Sequence, residues 1–165
     1  MSLIIRQART SDIKDIRAII DEYAAGRRLL TKETVTLYES VQEFTVAEID
    51  GKIVGCGAVH VLWEDLAEVR SVAVKQDVRG KGVGHGILEV LIKRAIELGV
   101  ARIFCLTFET HFFGRHGFVE IEGTPVSPEV YTELLHSYDS GVAEFLDLES
   151  VKPNSLGNIR MLLTL

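Results

Sequence analysis

The sequence predicts an α/β fold in which helices flank a mixed central sheet. Apolar runs at residues 44–49 and 53–63 are joined by Asp50-Gly51, a strong signal for an antiparallel hairpin. Further along, an apolar run at residues 67–74, a glycine-rich loop, a long helical pattern and a second apolar run at residues 101–107 follow one another. That order predicts a right-handed crossover between two parallel strands. A sheet that contains both connections is mixed.

Capping residues and apolar spacing predict the remaining elements in chain order. The long helix begins after the glycine loop, ends at Gly99 and is expected to bury one apolar side. The side of this long helix that is expected to be buried comprises Val83, Ile87, Leu91, Ala95 and Leu98. Residues 139–158 carry few periodic signals. The other expected elements are a strand at 3–7, a helix from Ile13 after the capping residues 10–12, a weaker helix at 34–41, a short helix at 110–116, a helix opened by Ser127-Pro128 and a last strand at 159–165.

Composition limits the classes of function. A chain of 165 residues fits one domain, expected over residues 1–165, and its net charge of −6 argues against a general nucleic-acid binder. No apolar run predicts a membrane span or a signal peptide. Cys56 and Cys105 lie far apart in apolar runs, so we expect reduced core thiols, and no metal-ligand spacing appears. These features predict a cytoplasmic protein, and apolar segments near the C-terminus would allow a homodimer.

The loop Arg79-Gly80-Lys81-Gly82-Val83-Gly84-His85-Gly86 has the composition of an anion site. Glycines let the backbone approach a ligand, and amides at a helix N-terminus favour negative charge. Arg79 and Lys81 supply charge for phosphate oxygens. The spacing matches neither the P-loop nor the dinucleotide-binding fingerprint. An ordinary flexible connection is the alternative interpretation.

The order Arg-x-x-Gly-x-Gly after a valine-rich strand resembles the pyrophosphate loop of the GCN5-related N-acetyltransferases (GNAT family). The resemblance implies acetyl-CoA as co-substrate without a metal, and a GNAT fold whose two parallel strands splay apart. It also implies a set of coenzyme-binding residues. These are Val72, Ala73, Val74, Arg79, Gly80, Lys81, Gly82, Val83, Gly84 and Phe112.

Three segments narrow the resemblance. Residues 67–74, 106–113 and 115–118 are similar to the acetyltransferase domain of N-acetylglutamate synthases, in a short, stand-alone form. This implies an amino-acid N-acetyltransferase that acetylates L-glutamate in arginine biosynthesis. Glutamine, another amino acid or a protein N-terminus are alternative acceptors. Because Phe113 stands where many family members carry a tyrosine, a non-catalytic acetyl-CoA-binding module is a further alternative.

Two residues are candidates for the chemistry. Glu68 is the candidate general base, and regular strand alternation places it on one face with Arg70 and Val72. The matching glutamate has this role in the synthases, whereas a solvent-facing strand residue is the alternative. Thr107, at the end of its strand, is the candidate proton donor to sulfur, or a cap for the following helix. Cys105 lies mid-strand and is not expected to be a nucleophile.

A glutamate acceptor carries two carboxylates, which require cations. Arginine binds a carboxylate through two parallel hydrogen bonds. In the basic segment at residues 27–32 a solvated surface is the alternative interpretation. The candidates for substrate binding are Arg28, Lys32, Arg70 and Arg160.

Overall fold

The computed structural model describes residues 2–25, 33–146 and 158–165. Its strands are β1 (Leu3–Gln7), β2 (Phe44–Ile49), β3 (Lys52–Trp63), β4 (Leu66–Val74), β5 (Arg102–Thr107), β6 (Val119–Glu120) and β7 (Ile159–Thr164). Its helices are α1 (Ile13–Ala25), α2 (Thr34–Glu39), α3 (Val83–Leu98), α4 (Thr110–Gly114), α5 (Pro128–Leu134) and α6 (Ser140–Phe145). Short 3₁₀ turns lie at Thr10–Asp12, Val41–Glu43 and Gln76–Val78.

The seven strands form one mixed sheet in the order β1-β2-β3-β4-β5-β7-β6. β4 and β5 are its parallel pair, with Leu66–Glu68 opposite Arg102–Phe104. The antiparallel hairpin is confirmed, since Asp50 and Gly51 both adopt the positive φ angles that its turn requires. The α/β class and the mixed sheet are therefore confirmed.

The structure also differs from the prediction in places. α6 and the two-residue β6 were not expected, and α2 ends at Glu39, before a 3₁₀ turn. Leu98 is half exposed, and Leu88 takes a place on the buried side of α3 instead. The buried side of α3 therefore includes two adjacent residues, Ile87 and Leu88, and ends at Ala95, before the last turn of the helix.

The chain divides into two compact units: Met1–His60 with Val69–Gly99, and Val61–Glu68 with Val100–Leu165. The splay predicted for β4 and β5 concerns both units and stays a prediction. In the first unit, α1 and strands β2 to β4 bury an aliphatic core. Its members include Ile13, Ile16, Ile20, Leu37, Phe44, Val46 and Cys56.

Glycines bring α3 into close contact with the sheet of the first unit. A β-carbon on Gly57 in β3 would lie 2.8 Å from Leu91 Cδ1 and 3.0 Å from Ile87 Cγ2. A β-carbon on Gly86 in α3 would lie 2.6 Å from Ile5 Cδ1. A side chain on either glycine would require these neighbouring side chains to shift, so the glycines allow α3 to lie close to the strands.

Gly57→Val should destabilise the fold without touching the loop that precedes α3. Overpacking a filled core costs about 1–3 kcal/mol, which lowers the melting temperature of a chain of this size by roughly 3–10 °C. Thermal unfolding followed by circular dichroism measures the change. Gly114→Ala is the matched control, because nothing lies within 4 Å of its β-carbon position. Equal melting temperatures for the two variants would contradict the close seating of α3.

The second unit is built around an aromatic contact between β5 and α6. The rings of Phe104 and Phe145 meet edge to face with centroids 4.8 Å apart, and both are fully buried. Leu134 of α5 joins the same core. Val119 and Leu165 are exposed apolar residues in this unit. The homodimer expected from the C-terminal sequence stays a prediction.

Candidate coenzyme site and candidate catalytic residues

Residues 79–82 of the glycine loop precede α3, whereas residues 83–86, which were expected before the helix, form its first turn. Gly80 and Gly82 have φ angles of 79° and 80°, in the left-handed region that other residues rarely adopt. No atom lies within 4 Å of a β-carbon built on either glycine. The glycines are therefore required by backbone conformation, and the space beside them is open.

α3 begins at this loop without a side-chain cap. Gly82 is the N-cap residue and has no side chain to make a capping hydrogen bond, and the first turn contains no acidic residue. Helix geometry leaves these first amides without intrahelical partners, and the helix dipole makes the end positive. Arg79 and Lys81 are exposed just before it. This end of α3 can therefore bind an anion such as a diphosphate.

β4 changes conformation shortly before the loop. Ser71 has a φ of 58°, and its carbonyl accepts a hydrogen bond from the Cys56 thiol at 3.4 Å. A left-handed residue within a strand interrupts the regular alternation of side chains. The predicted common face of Glu68, Arg70 and Val72 requires that regular alternation, which β4 lacks beyond Arg70.

Tyr23 was not predicted to take part in this site. The Val74 amide, which was assigned to the coenzyme, donates to the Tyr23 hydroxyl at 3.4 Å. The Arg79 guanidinium carbon lies 4.9 Å from the centroid of the Tyr23 ring. In the sequence, Tyr23 stands out only by its helical spacing after Ile16 and Ile20. Its hydroxyl was the available signal, because a half-buried tyrosine directs its polar end toward a partner.

In the second unit Glu68 lies opposite Phe104 in the parallel register and is only 5 % exposed. The alternative interpretation, in which the Glu68 side chain faces solvent, is therefore wrong, because that side chain is buried. A buried carboxylate is uncommon and marks a site where its charge has a use. The same charge acts on Cys105, because burial first and Glu68 second raise the pKa of that thiol well above its usual value.

Thr107 and its neighbours lie at the end of β5. Thr107 is buried, and its Oγ1 accepts from the Glu109 amide at 2.8 Å, a hydrogen bond that does not use the hydroxyl proton. Phe113 is buried, with its ring centroid 5.1 Å from that of Phe112 and 5.2 Å from that of Phe118. Phe113 is therefore a packing residue, and Phe112 is half-buried beside it.

The predicted acceptor-binding cations have different surroundings. Arg28 and Lys32 lie outside the described residues, and Arg70 is half-buried on β4. Arg160 donates from Nε to the Gly123 carbonyl at 2.9 Å and from Nη2 to the Phe145 carbonyl at 2.5 Å. Its guanidinium carbon also lies 5.0 Å from the Phe104 ring centroid. These contacts favour a role for Arg160 in fixing the end of α6.

The Cys105 thiol should be unreactive in the folded chain, because the raised pKa leaves little thiolate and burial blocks access. Cys56 is also buried and is not part of a disulfide. An aromatic disulfide reagent at pH 8 should release no chromophore from the folded chain and two equivalents after denaturation, one for each cysteine. Rapid labelling of a folded Cys56→Ala variant would contradict this prediction.

Within the described ranges, no group of three or more histidine, cysteine, aspartate or glutamate side chains is placed to hold a metal ion. In the same part of the chain no helix has the length and apolar character needed to cross a membrane.

Comparisons with known proteins show which family the chain belongs to and which solved structures share its fold. A relative from Mycobacterium tuberculosis named amino-acid acetyltransferase is 59% identical, over 98% of this chain and 94% of the relative. A crystal structure from the same organism, in complex with CoA and a ligand designated NLQ, has a TM-score of 0.94 at 59% identity and covers 98% of this chain and 99% of that one.

A more distant structure is that of the N-acetylglutamate synthase from Neisseria gonorrhoeae, complexed with coenzyme A and N-acetyl-glutamate. It has a TM-score of 0.79 at 24% identity and covers 100% of this chain and 35% of that one. At this identity the likeness shows the fold alone. Residues 13–118 match the model of the acetyltransferase (GNAT) family, and this range includes the whole glycine loop. The chain belongs to the GNAT family of acetyltransferases and is an acyltransferase.

Proposed function

We propose that this chain transfers the acetyl group of acetyl-CoA to the α-amino group of an amino acid. The observation that carries the proposal is the 59% identity, over nearly all of both chains, to a relative named amino-acid acetyltransferase. L-Glutamate is the acceptor we propose, on the resemblance of residues 67–74, 106–113 and 115–118 to the synthases. Arginine biosynthesis is the corresponding pathway.

The coenzyme would bind to the first unit through its diphosphate. The uncapped amides of α3 and the side chains of Arg79 and Lys81 supply hydrogen-bond donors and positive charge. The amides around Val72 to Val74 in β4 would polarise the thioester carbonyl and stabilise the oxyanion that forms there. This assignment uses backbone donors, so it depends on the loop conformation more than on any one side chain.

The chemistry requires a base and an acid. Glu68 would accept a proton from the acceptor ammonium group, directly or through water, and the free amine would then attack the thioester carbon. As the C–N bond forms, the acceptor nitrogen loses a second proton to solvent. As the C–S bond breaks, the departing thiolate takes a proton. Phe113 has no proton to give, whereas the Thr107 hydroxyl already accepts from the Glu109 amide and retains its own proton. We therefore propose Thr107 as the donor, re-protonated from solvent.

Binding of the acceptor carboxylates would fall to arginines and lysines. Arg70 is the best-supported described candidate, since it lies two residues from Glu68 on β4 and is half-buried. Arg28 and Lys32 stay in the proposal through their place in the sequence alone. Arg160 is the least favoured of the four, because its nitrogens already donate to the carbonyls of Gly123 and Phe145.

Thiol release from acetyl-CoA across a panel of acceptors tests the proposal. The panel contains glutamate, glutamine, the other amino acids and a peptide with a free N-terminus, with calorimetric titration of CoA in parallel. We expect the highest kcat/KM with glutamate. Preference for another amino acid would retain the reaction class and replace the acceptor. Tight CoA binding without turnover on any acceptor would instead support a non-catalytic binding module.

A further inference from the structure

Tyr23 connects two parts of the candidate coenzyme site that the chain itself separates. Its hydroxyl accepts from the Val74 amide at 3.4 Å, at the end of β4. Its ring faces the Arg79 guanidinium, with 4.9 Å between the guanidinium carbon and the ring centroid. Val74 and Arg79 lie on either side of the 3₁₀ turn at Gln76–Val78. One side chain from α1 therefore contacts both ends of the segment that leads into the glycine loop.

The ring of Tyr23 is a rigid support for Arg79. Tyr23 is half-buried and packs against the aliphatic core of the first unit, whereas Arg79 is exposed. An exposed arginine samples many rotamers, and ordering it reduces the affinity gained from each anion contact. A guanidinium within about 6 Å of an aromatic face is attracted to it. Contact with the ring thus restricts Arg79 before a ligand arrives.

The hydroxyl of Tyr23 contributes differently. A donor–acceptor distance of 3.4 Å is long for a hydrogen bond to a backbone amide, so this bond is weak. It satisfies the Val74 amide in the free chain, and a ligand oxygen could replace it at small cost. Replacing the ring of Tyr23 and removing only its hydroxyl should therefore have different effects on CoA affinity.

We propose that Tyr23 is a positioning residue for the coenzyme diphosphate. Its ring holds Arg79 in place for the diphosphate oxygens, and its hydroxyl occupies the Val74 amide until the coenzyme binds. The proposal rests on the proposed function, because it requires that the loop binds CoA. The coenzyme-binding residues expected from the resemblance lie in β4, in the loop and at Phe112, and Tyr23 adds a residue of α1.

A double-mutant cycle tests the proposal, with CoA affinity measured by calorimetry. Tyr23→Leu should weaken CoA binding about three- to tenfold, which is the range of an aromatic contact to a cation. Tyr23→Phe keeps the ring and should bind within about twofold of the native chain. In the Arg79→Ala background, Tyr23→Leu should cause no further loss beyond about twofold. Tyr38→Leu on α2 is the matched control, since Tyr38 is an exposed tyrosine of the same unit.

A general structural role for Tyr23 would give a different pattern. Equal losses from Tyr23→Leu with and without Arg79, no loss at all, or a loss from Tyr23→Phe as large as that from Tyr23→Leu would each overturn the proposal. Melting temperatures identify an unfolded variant, and Tyr23→Met then replaces Tyr23→Leu in the cycle. If the native chain does not bind CoA, the proposed function fails as well, whereas additive losses leave that function intact.

Discussion

Replacing Gly82 with aspartate is expected to weaken CoA binding by at least about a hundredfold, the largest effect at the coenzyme site. The substitution places a carboxylate at the uncapped start of α3, where no acidic residue now stands. It would accept from the amides that the diphosphate needs. Two like charges about 4 Å apart near a protein surface repel by roughly 4 kcal/mol. Calorimetric titration with CoA at fixed ionic strength measures the loss.

Gly82→Asn is the control that separates the effect of the added charge from the effect of backbone strain at this position. Asparagine and aspartate are both tolerated in the left-handed region better than most residues, so the two variants share the strain at a φ of 80°. The open space beside Gly82 accommodates either side chain. The asparagine variant should lose less than about tenfold in affinity. If the aspartate variant bound CoA as well as the asparagine variant, anion binding at this helix end would be refuted.

Glu68→Gln should lower kcat about 10²- to 10⁴-fold while leaving CoA affinity nearly unchanged, because a general base contributes that much to proton transfer. Glutamine preserves the size of the side chain in a site that is only 5 % exposed. Without the base, the acceptor amine must lose its proton to solvent. The residual rate of the variant should therefore keep rising with pH after the native rate has levelled. Steady-state kinetics over a pH series measures both effects.

Glu64→Gln is the matched control for Glu68→Gln. Glu64 is exposed in the turn before β4, so its loss should change kcat less than about twofold. Melting temperatures of both variants exclude unfolding as the cause of lost activity. A Glu68→Gln enzyme with a native kcat and a native pH profile would assign Glu68 to structure and remove it from the mechanism.

The elements that could be predicted from the sequence are those specified by local chemistry. Asp50-Gly51 fixes a hairpin because both residues tolerate positive φ. Ser127 caps α5 by accepting from the Val130 amide at 3.3 Å, as its position before Pro128 indicates. Gly99 ends α3 in a left-handed conformation, as its place after the helical pattern indicates. These features depend on neighbours within a few residues, so a single sequence suffices to find them.

α6 could not be predicted in the same way. Its six residues are too few to show an apolar period, and its burial depends on the contact of Phe145 with Phe104, which lies far away in the sequence. One local signal was present, since Asp139 accepts from the Val142 amide as an N-cap. The role of Arg160 also depends on distant partners. Charge alone indicated a carboxylate site, whereas backbone carbonyls of Gly123 and Phe145 occupy its guanidinium.

In the candidate coenzyme site, too, some residues are indicated by local sequence and others depend on distant contacts. Arg79, Gly80 and Gly82 could be proposed for the coenzyme from the resemblance and the composition of the loop, because glycine content and charge are properties of the segment itself. Tyr23 could not, because its contacts join α1 to residues about fifty positions later. Glu68 lies between these cases. Its place on the strand was predictable but its burial was not, since its register partner Phe104 is distant in the sequence.

Binding of the diphosphate is tested by comparing the affinity of the native chain for CoA with its affinity for pantetheine, which lacks the diphosphate and the nucleotide. We expect CoA to bind at least about a hundredfold more tightly. The difference should fall below about tenfold in a chain that carries Arg79→Ala and Gly82→Asp. Equal affinities of the native chain for the two ligands would contradict a coenzyme site at the start of α3.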